Sequence, residues 1–420
     1  MDPGDDPHAR IRRLWLATMF VSCLGSGMVG LATSYIVYEQ TGSVSITGLI
    51  AVCWGIPPVL LASPATRLAA RLGGPDSFVI RYLLSAVVTL VPAVLAVVGD
   101  LGTVTLLLWN LALGTVAGLF SPSSDLVRRM LAPPRLQHQF NSAVMRNWAL
   151  STVIGIAVGG VVLAAVGPAA LFFFDVASYV LIALPVIALR GKPQPENPAH
   201  RARFRDAFTV LRSRHDLRAA CVFVVANFAV GSFVVTLPAI ARQIDTDPRV
   251  LAALQAGAVV GGIVVTVVVR WLDGRVPWGR VQRVCFLVAG AGLVALAVAS
   301  QMDGSAGRIF AVCMVAVVLV GFARILDGSI LNASVQASAP DHGRAAFFTL
   351  FALLGTITVP LAQEIIGLVA DTTSVSISLG ILGGAALVLF IVRPRLGLRE
   401  DFDRLSINTE TPKGSVLAHT

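Results

Sequence analysis

Charge is scarce in this 420-residue sequence: Asp, Glu, Lys and Arg together make 13% of it. Ordinary soluble domains carry about a quarter. A chain that is also 56% apolar cannot cover itself with a water-facing surface, so the soluble globular class is excluded. Lysine is nearly missing, since only Lys192 and Lys413 of the 32 basic residues are lysine. With abundant Ala, Val and Gly, that bias leads us to expect a GC-rich bacterial genome of the actinobacterial kind. Cysteine is sparse. Cys23, Cys53, Cys221, Cys285 and Cys313 fall in apolar segments, with neither CxxC nor metal-ligand spacing. They read as small apolar fillers, and no metal site is expected. The phosphate-binding pattern G-x-x-x-x-G-K-[ST] is absent, which argues against ATP drive within the chain. HExxH is absent too, and the six histidines (His8, His138, His200, His215, His342, His419) lie in expected loops or tails. No catalytic set converges, so neither an enzyme nor a cofactor is expected.

What is there is a series of apolar runs. Leu14–Tyr38 is too long for the core of a signal peptide and is followed by more spans, so it reads as a retained first helix. Further runs cover roughly 45–66, 77–99, 102–124, 143–166 and 169–189, then 217–240, 250–272, 281–300, 308–331, 345–369 and 374–392. Each is long enough to cross about 30 Å of hydrocarbon at about 1.5 Å per residue. A bilayer offers backbone groups no water, so these runs must be helical. The expected class is an all-α integral membrane protein with twelve transmembrane helices.

The longest polar interruption is Arg190–Arg218, with eight basic residues against Glu196, Asp206 and Asp216. It divides two apolar blocks of similar length. The expected organisation is an N-terminal tail at 1–13, a six-helix bundle at 14–189, a basic linker at 190–216, a second six-helix bundle at 217–392 and a polar, partly disordered tail at 393–420. Within the linker Phe204, Phe208 and Leu211 share one helical face, which suits an amphipathic helix on an anionic membrane surface. When both tails are assigned to the cytoplasm and the spans alternate, 29 basic residues fall inside and only Arg242, Arg249 and Arg308 outside. That asymmetry is a strong orientation signal, and it explains the basic balance without nucleic acid. The loop from Arg67 to Arg81 corresponds to that from Arg270 to Arg283. The segment Ala132-Pro133-Pro134-Arg135 corresponds to Ser338-Ala339-Pro340-Asp341. Both offsets suit two parallel repeats of six helices.

Several stretches carry a resemblance. Val37–Ser43 (VYEQTGS) forms a turn after helix 1, and Leu131–Asn141 (LAPPRLQHQFN) precedes helix 5. Gly167-Pro168 is followed by Phe174–Tyr179 (FDVASY), and Phe204–Arg218 precedes helix 7. In this order and spacing they resemble the major facilitator superfamily, and within it the siderophore- and drug-exporter branch. The resemblance covers nearly all of residues 14–393 and implies two pseudo-symmetric six-helix bundles with substrate between them. It also implies a conformational loop between helices 2 and 3, normally G-x-x-x-D-R-x-G-R-R. Here Arg71 and Gly73 are kept, but the acid position is Ala70 and the paired basics are Gly74 and Pro75. That departure suggests a weakened or relocated latch. The family's helix-4 arginine is replaced in Asn110-Leu111-Ala112-Leu113-Gly114, which puts the usual proton coupling in doubt. The antiporter pattern of helix 5 is met by Ser151, Gly155, Gly159 and Gly160, with Ile156 at its proline position. Small residues there serve close helix packing or a seal against leak.

Ionisable groups within spans are costly and therefore candidates for function. Asp175 in helix 6 and Glu364 in helix 11 are the proton-coupling candidates; a structural acid and a residue reaching the interface are the plainer readings. Arg324 and Asp327 are three apart on helix 10 and share a face; with Asp125 and Arg128 they are candidate gating ion pairs or plain structural ones. Helices 1, 4, 7 and 10 border the central cavity in the superfamily. On that implication Ser22, Ser26, Asn110, Asn227 and Ser232, with Trp54 on helix 2, are the substrate-binding candidates, interhelical bonding being the alternative for each Asn. An apolar cavity with a few amides suits an amphipathic organic molecule. The expected function is secondary, proton-coupled export of such a molecule across the plasma membrane by a monomer, with lipid, substrate and protons as partners. A non-transporting sensor or scaffold of the same fold, and an uptake transporter, stay open.

Overall fold

The computed structural model describes residues 8–132, 136–192, 204–272, 275–338 and 344–392. The tail expected beyond residue 392, the linker residues 193–203 and the loop residues 133–135 and 339–343 lie outside these. Among the described residues there is no strand. Sixteen α-helices follow one another: α1 Ala9–Thr41, α2 Val44–Leu60, α3 Ala62–Leu72, α4 Gly74–Val98, α5 Thr103–Leu119, α6 Ser121–Leu131, α7 Gln137–Val166, α8 Pro168–Ile187, α9 Phe204–Ser213, α10 His215–Gly231, α11 Leu237–Ile244, α12 Pro248–Leu272, α13 Trp278–Ala299, α14 Ala306–Ser338, α15 Arg344–Thr372 and α16 Val375–Val392.

By length and composition, nine spans among the described residues can cross a membrane, and the bent pairs α2–α3 and α5–α6 bring the number to eleven. The runs near 45–66 and 102–124, read as straight helices in the sequence, are bent by 63° and 51° respectively. The cause of the first is local: Pro57 and Pro58 near the end of α2 remove backbone donors and crowd the preceding turn. At the second, Pro122 opens α6 immediately after the bend at Phe120. The run at 217–240 is interrupted as well. A 3-10 turn at Ser232–Thr236 separates α10 from α11, and Pro238 sits in the first turn of α11. The expected N-terminal tail is shorter than its sequence boundary: α1 starts at Ala9, so Arg10, Arg12 and Arg13 extend the helix rather than precede it.

Helix order alone does not make a bundle; the pairings do. In the first half α1 lies against α7 and α8, α4 against α8, and α2 against α5. The second half repeats this scheme, with α10 against α15 and α16, α13 against α16, and α12 against α14. Two seams join the halves, α2 with α15 and α7 with α12. The outward surface is apolar, with Val87, Val94, Val98 and Val104 among its exposed residues, as lipid contact requires. The amphipathic α9 divides its faces: Val210 and Leu211 pack on Leu217, Phe223 and Phe347, whereas Phe208 is exposed. Its apolar side is therefore shared between protein and solvent or lipid rather than given wholly to a membrane surface.

Candidate central cavity and its one-sided seal

Two of the cavities that the described residues form lie centrally between the halves. The first, of about 340 Å³, is lined by Ser34 of α1, Thr47 and Trp54 of α2, Asn110 of α5, Gln255 of α12, Arg324 of α14, Gln363 of α15 and the 3-10 turn at Phe233–Val235. The second, of about 530 Å³, shares Ala51 and Trp54 with it and continues between α2, α10, α14 and α15 past Pro58, Phe228, Phe348 and Phe351. Its walls are almost wholly apolar. Phe233–Val235 of the 3-10 turn line the first cavity, consistent with non-α backbone being tolerated at membrane depth only where it is buried in protein or lines a cavity. A third hollow, of about 570 Å³ beside Tyr38, Ser43, Gln301 and Asp371, shares no lining residue with the other two.

Between that hollow and the central cavity the halves are stitched together. Asp371, at the end of α15, caps the N-terminus of α2 from across the seam. Its Oδ1 accepts from the Val44 N–H at 2.8 Å, and its Oδ2 accepts from the Ser45 N–H at 3.0 Å and the Ser43 hydroxyl at 2.5 Å. A carboxylate there meets both the free donors of the first turn and the positive end of the helix dipole. Ser45 Oγ donates to Glu364 Oε1 at 2.9 Å. The backbones of α2 and α15 touch: a Cβ on Gly367 would lie 2.6 Å from Ser45 Cα, and one on Gly48 would lie 2.9 Å from the Gln363 carbonyl. Arg242 of α11 donates through Nη1 to both carboxylate oxygens of Glu39 on α1, at 2.5 and 2.7 Å. Tyr35 Oη donates to the Thr246 carbonyl at 2.6 Å, and Gln255 Nε2 to Ser34 Oγ at 3.1 Å. All these contacts sit at the end where α1 finishes and α2 begins.

The expected substrate residues divide. Trp54, 44% exposed, and Asn110 line the first cavity. Asn110 Nδ2 donates to Leu106 O of its own helix. Ser22, Asn227 and Ser232 are buried away from it. Asn227 Nδ2 donates to Asp327 Oδ2 at 2.7 Å and to the Arg324 carbonyl at 2.8 Å, so it braces α10 to α14. Ser232 Oγ donates to Phe228 O and Val359 O. Ser26 is exposed on α1 but outside the lining of either cavity.

Of the two acids, Asp175 is 1% exposed. It accepts from Ser178 Oγ at 3.2 Å and lies against Gly25, where a Cβ would be 2.7 Å from its Oδ1. It is thus held between α1 and α8 inside the first half. Glu364 belongs instead to the seam. The expected pair Arg324–Asp327 is corrected by the structure. Asp327 accepts from Asn227, and Arg324, which lines the first cavity, has no ion partner among the described residues. Asp125 and Arg128 do pair, yet within α6 and in an exposed position, so they bridge no two helices. Arg71 is exposed at the end of α3, and Gly73 turns the chain at φ +80°. Close by, Asp76 of α4 is joined to Arg190 at 2.7 Å, a link inside the first half. On α7, Gly155 and Gly159 let α1 approach at Leu24 and Met28, while Gly160 touches Ala252 of α12. Ser151 is fully buried and donates to Trp148 O.

The sequence matches the Major Facilitator Superfamily over residues 15–362. The chain belongs to that superfamily. It is accordingly a multi-pass membrane transporter acting on small molecules, not an enzyme. No curated protein matches it. Among solved structures, a bacterial homologue of the iron transporter ferroportin in an inward-facing state is similar with TM-score 0.71 at 13% identity, covering 93% of this chain and 99% of that one. The nucleoside transporter NupG follows the same path with TM-score 0.69 at 11% identity, over 92% and 98% of the two chains. A D-xylose–proton symporter has TM-score 0.65 at 14% identity, over 90% and 96%. Identities this low carry the fold and leave cargo to the site itself.

Serine, glutamine and acid residues outside the expected set make several of the bonds across the seam. Gln255 and Gln363 carry a legible signal, an amide within an apolar span. Asp371 and Glu39 look like ordinary loop-side acids in sequence, because their partners lie hundreds of residues away.

Proposed function

We propose that this transporter exports an amphipathic small molecule, of the drug, siderophore or secondary-metabolite kind, by alternating access coupled to inward proton movement. The observation that carries the reading is the one-sided seal above a mostly apolar cavity. Among the described residues, one end of the halves is bonded shut and a cavity parts α2 from the start of α15 at the other, which suits one of the two states a rocking transporter needs. Adding the 25-residue α12 to the eleven spans gives twelve, and an even number leaves both tails on one side. The excess of basic residues supports the cytoplasm for that side, and in this reading the membrane is the plasma membrane and the open end faces inward. One chain contains both halves and the whole cavity, so a monomer suffices.

Trp54 and Asn110 contact cargo in this reading, and the apolar walls take its hydrocarbon part. Glu364 is the favoured coupling group, because Ser45 binds it across the seam that must part. Asp175, enclosed behind α1, is the second candidate. Gly155, Gly159 and Gly160 hold α7 close to its neighbours while the halves rock. The test uses purified transporter in proteoliposomes with an imposed pH gradient and a panel of fluorescent amphiphiles. Cargo accumulation that collapses with the gradient, and that Glu364→Gln abolishes in folded protein, is the expected result. Folded wild-type transporter that moves no cargo under any gradient would overturn the reading in favour of a sensor. Cargo movement only from outside to inside would replace export by uptake.

A further inference from the structure

We propose that the central cavity selects an organic anion and takes its negative group at Arg324; this rests on the export reading above and names the class of its cargo. A charge within a membrane span is costly unless it is paired or functional. Arg324 lines the first cavity, and among the described residues neither cavity has an Asp or Glu in its lining. No hydrogen bond or ion pair engages the guanidinium among the described residues. The nearest acid in sequence, Asp327, sits one turn further along α14, and Asn227 holds both Asp327 Oδ2 and the Arg324 carbonyl. That brace fixes the helix face so that the carboxylate goes to α10 while the arginine goes to the cavity.

The stem of Arg324 is positioned too. Position 231 is glycine, and a Cβ there would lie 2.6 Å from Arg324 Cδ. The side chain therefore runs over the bare backbone at the start of the break in α10–α11. Guanidinium groups bind carboxylates and other planar or tetrahedral oxyanions through two parallel hydrogen bonds. Gln255, Gln363 and Asn110 stand in the same cavity as neutral partners for the remaining polar atoms of a cargo. Low-dielectric walls strengthen the single positive charge, and the aromatic second cavity accepts an apolar body. A cation would meet an uncompensated like charge, and a neutral molecule would leave the arginine unpaired.

Three probes with one naphthyl body separate these cases: 1-naphthylacetate, its neutral amide and 1-naphthylmethylammonium. Binding to the full-length transporter in detergent is read by thermal stabilisation and by titration calorimetry. The expected order is anion first, with about tenfold preference over the amide, since a charged hydrogen bond contributes more than about 1.4 kcal/mol. Arg324→Gln should remove that preference while keeping amide binding, and Arg324→Lys should keep part of it. If the Gln variant fails to fold, the wild-type order and the Lys variant decide alone. Equal or stronger binding of the ammonium or the amide, binding of none of the three by folded protein, or equal protection by sodium chloride would each overturn the proposal. The readout is binding, so a failure to transport would leave the charge order standing. A flat order in a chain that does transport would remove the anion assignment alone.

Discussion

The two ends of the seam between the halves are built from different chemistry. At the Asp371 end the backbones of α2 and α15 touch through glycine, and a carboxylate caps a helix across the seam. Towards the start of α15 the same two helices are parted by a cavity between Pro58 on one side and Phe348 and Phe351 on the other. The closed end relies on short directional bonds, which lose their strength once the groups part and water enters. The open end is lined by apolar and aromatic groups that fit many partners without fixed geometry. One end therefore behaves as a latch and the other as a receptive surface.

The contrast breaks most completely at the glycine contact. Gly367→Leu places a branched side chain where a Cβ already meets the Ser45 backbone at 2.6 Å. Backbone cannot yield as a side chain can, so α2 and α15 must separate. The expected outcome is loss of the closed end: a cysteine introduced at Gln363 becomes reactive towards an impermeant thiol reagent added from the Asp371 side, and transport falls by more than about tenfold, given overpacking costs of about 1–3 kcal/mol. Unchanged protection of that cysteine would show that the seal does not depend on this contact. Asp371→Ala comes next. It strips three donors of α2 of their acceptor, each charged bond being worth about 1.5–3 kcal/mol. Water replaces part of that at an exposed edge, so we expect about a tenfold shift towards opening at this end, read by the same labelling.

A smaller effect is expected for Glu39 and Arg242. One guanidinium nitrogen, Nη1, reaches both carboxylate oxygens, but the Arg242 side chain is 47% exposed, and exposed pairs contribute about 0–1 kcal/mol. A double-mutant cycle with Glu39→Gln and Arg242→Gln should return a coupling below about 1 kcal/mol that shrinks at high salt. A coupling of several kcal/mol would make this pair, rather than Asp371, the main latch. The cavity gives a comparable figure: Asn110→Ala should lower transport of an identified cargo two- to fivefold, roughly the loss of one neutral hydrogen bond. An unchanged rate would remove Asn110 from the site.

How much of this was legible beforehand follows from the range of each interaction. Helix existence depends on local apolar runs, so the spans and the two-bundle class could be read directly. Asn110 and Trp54, which line the first cavity, could be singled out because a polar or amphipathic side chain in an apolar run announces itself. The bends at Pro57-Pro58 and before Pro122 had local signals too, but a proline in a membrane helix permits several outcomes, and neighbouring helices decide between them. Asp371 could not be found this way: it is separated from Val44 by 327 residues, and its sequence neighbourhood is an ordinary helix end. Arg324 was misread for the opposite reason. Spacing of three correctly placed Asp327 on its face, but a competing amide on α10, one hundred residues away from Asp327, takes the carboxylate.

Asp125 and Arg128 supply the control at the other extreme. They sit three apart on α6 with the acid 64% exposed, and among the described residues neither bonds to the second half. Opening or closing the seam leaves both residues on one rigid helix turn. A pair that does not change between two states cannot bias their equilibrium. Asp125→Asn should therefore change thermal stability by less than about 0.5 kcal/mol, as surface substitutions do, and leave the labelling of the Gln363 cysteine unchanged from both sides. A shift in that labelling would mean that α6 meets the second half in the other state, and the latch at the Asp371 end would then have a counterpart at the end that is open here.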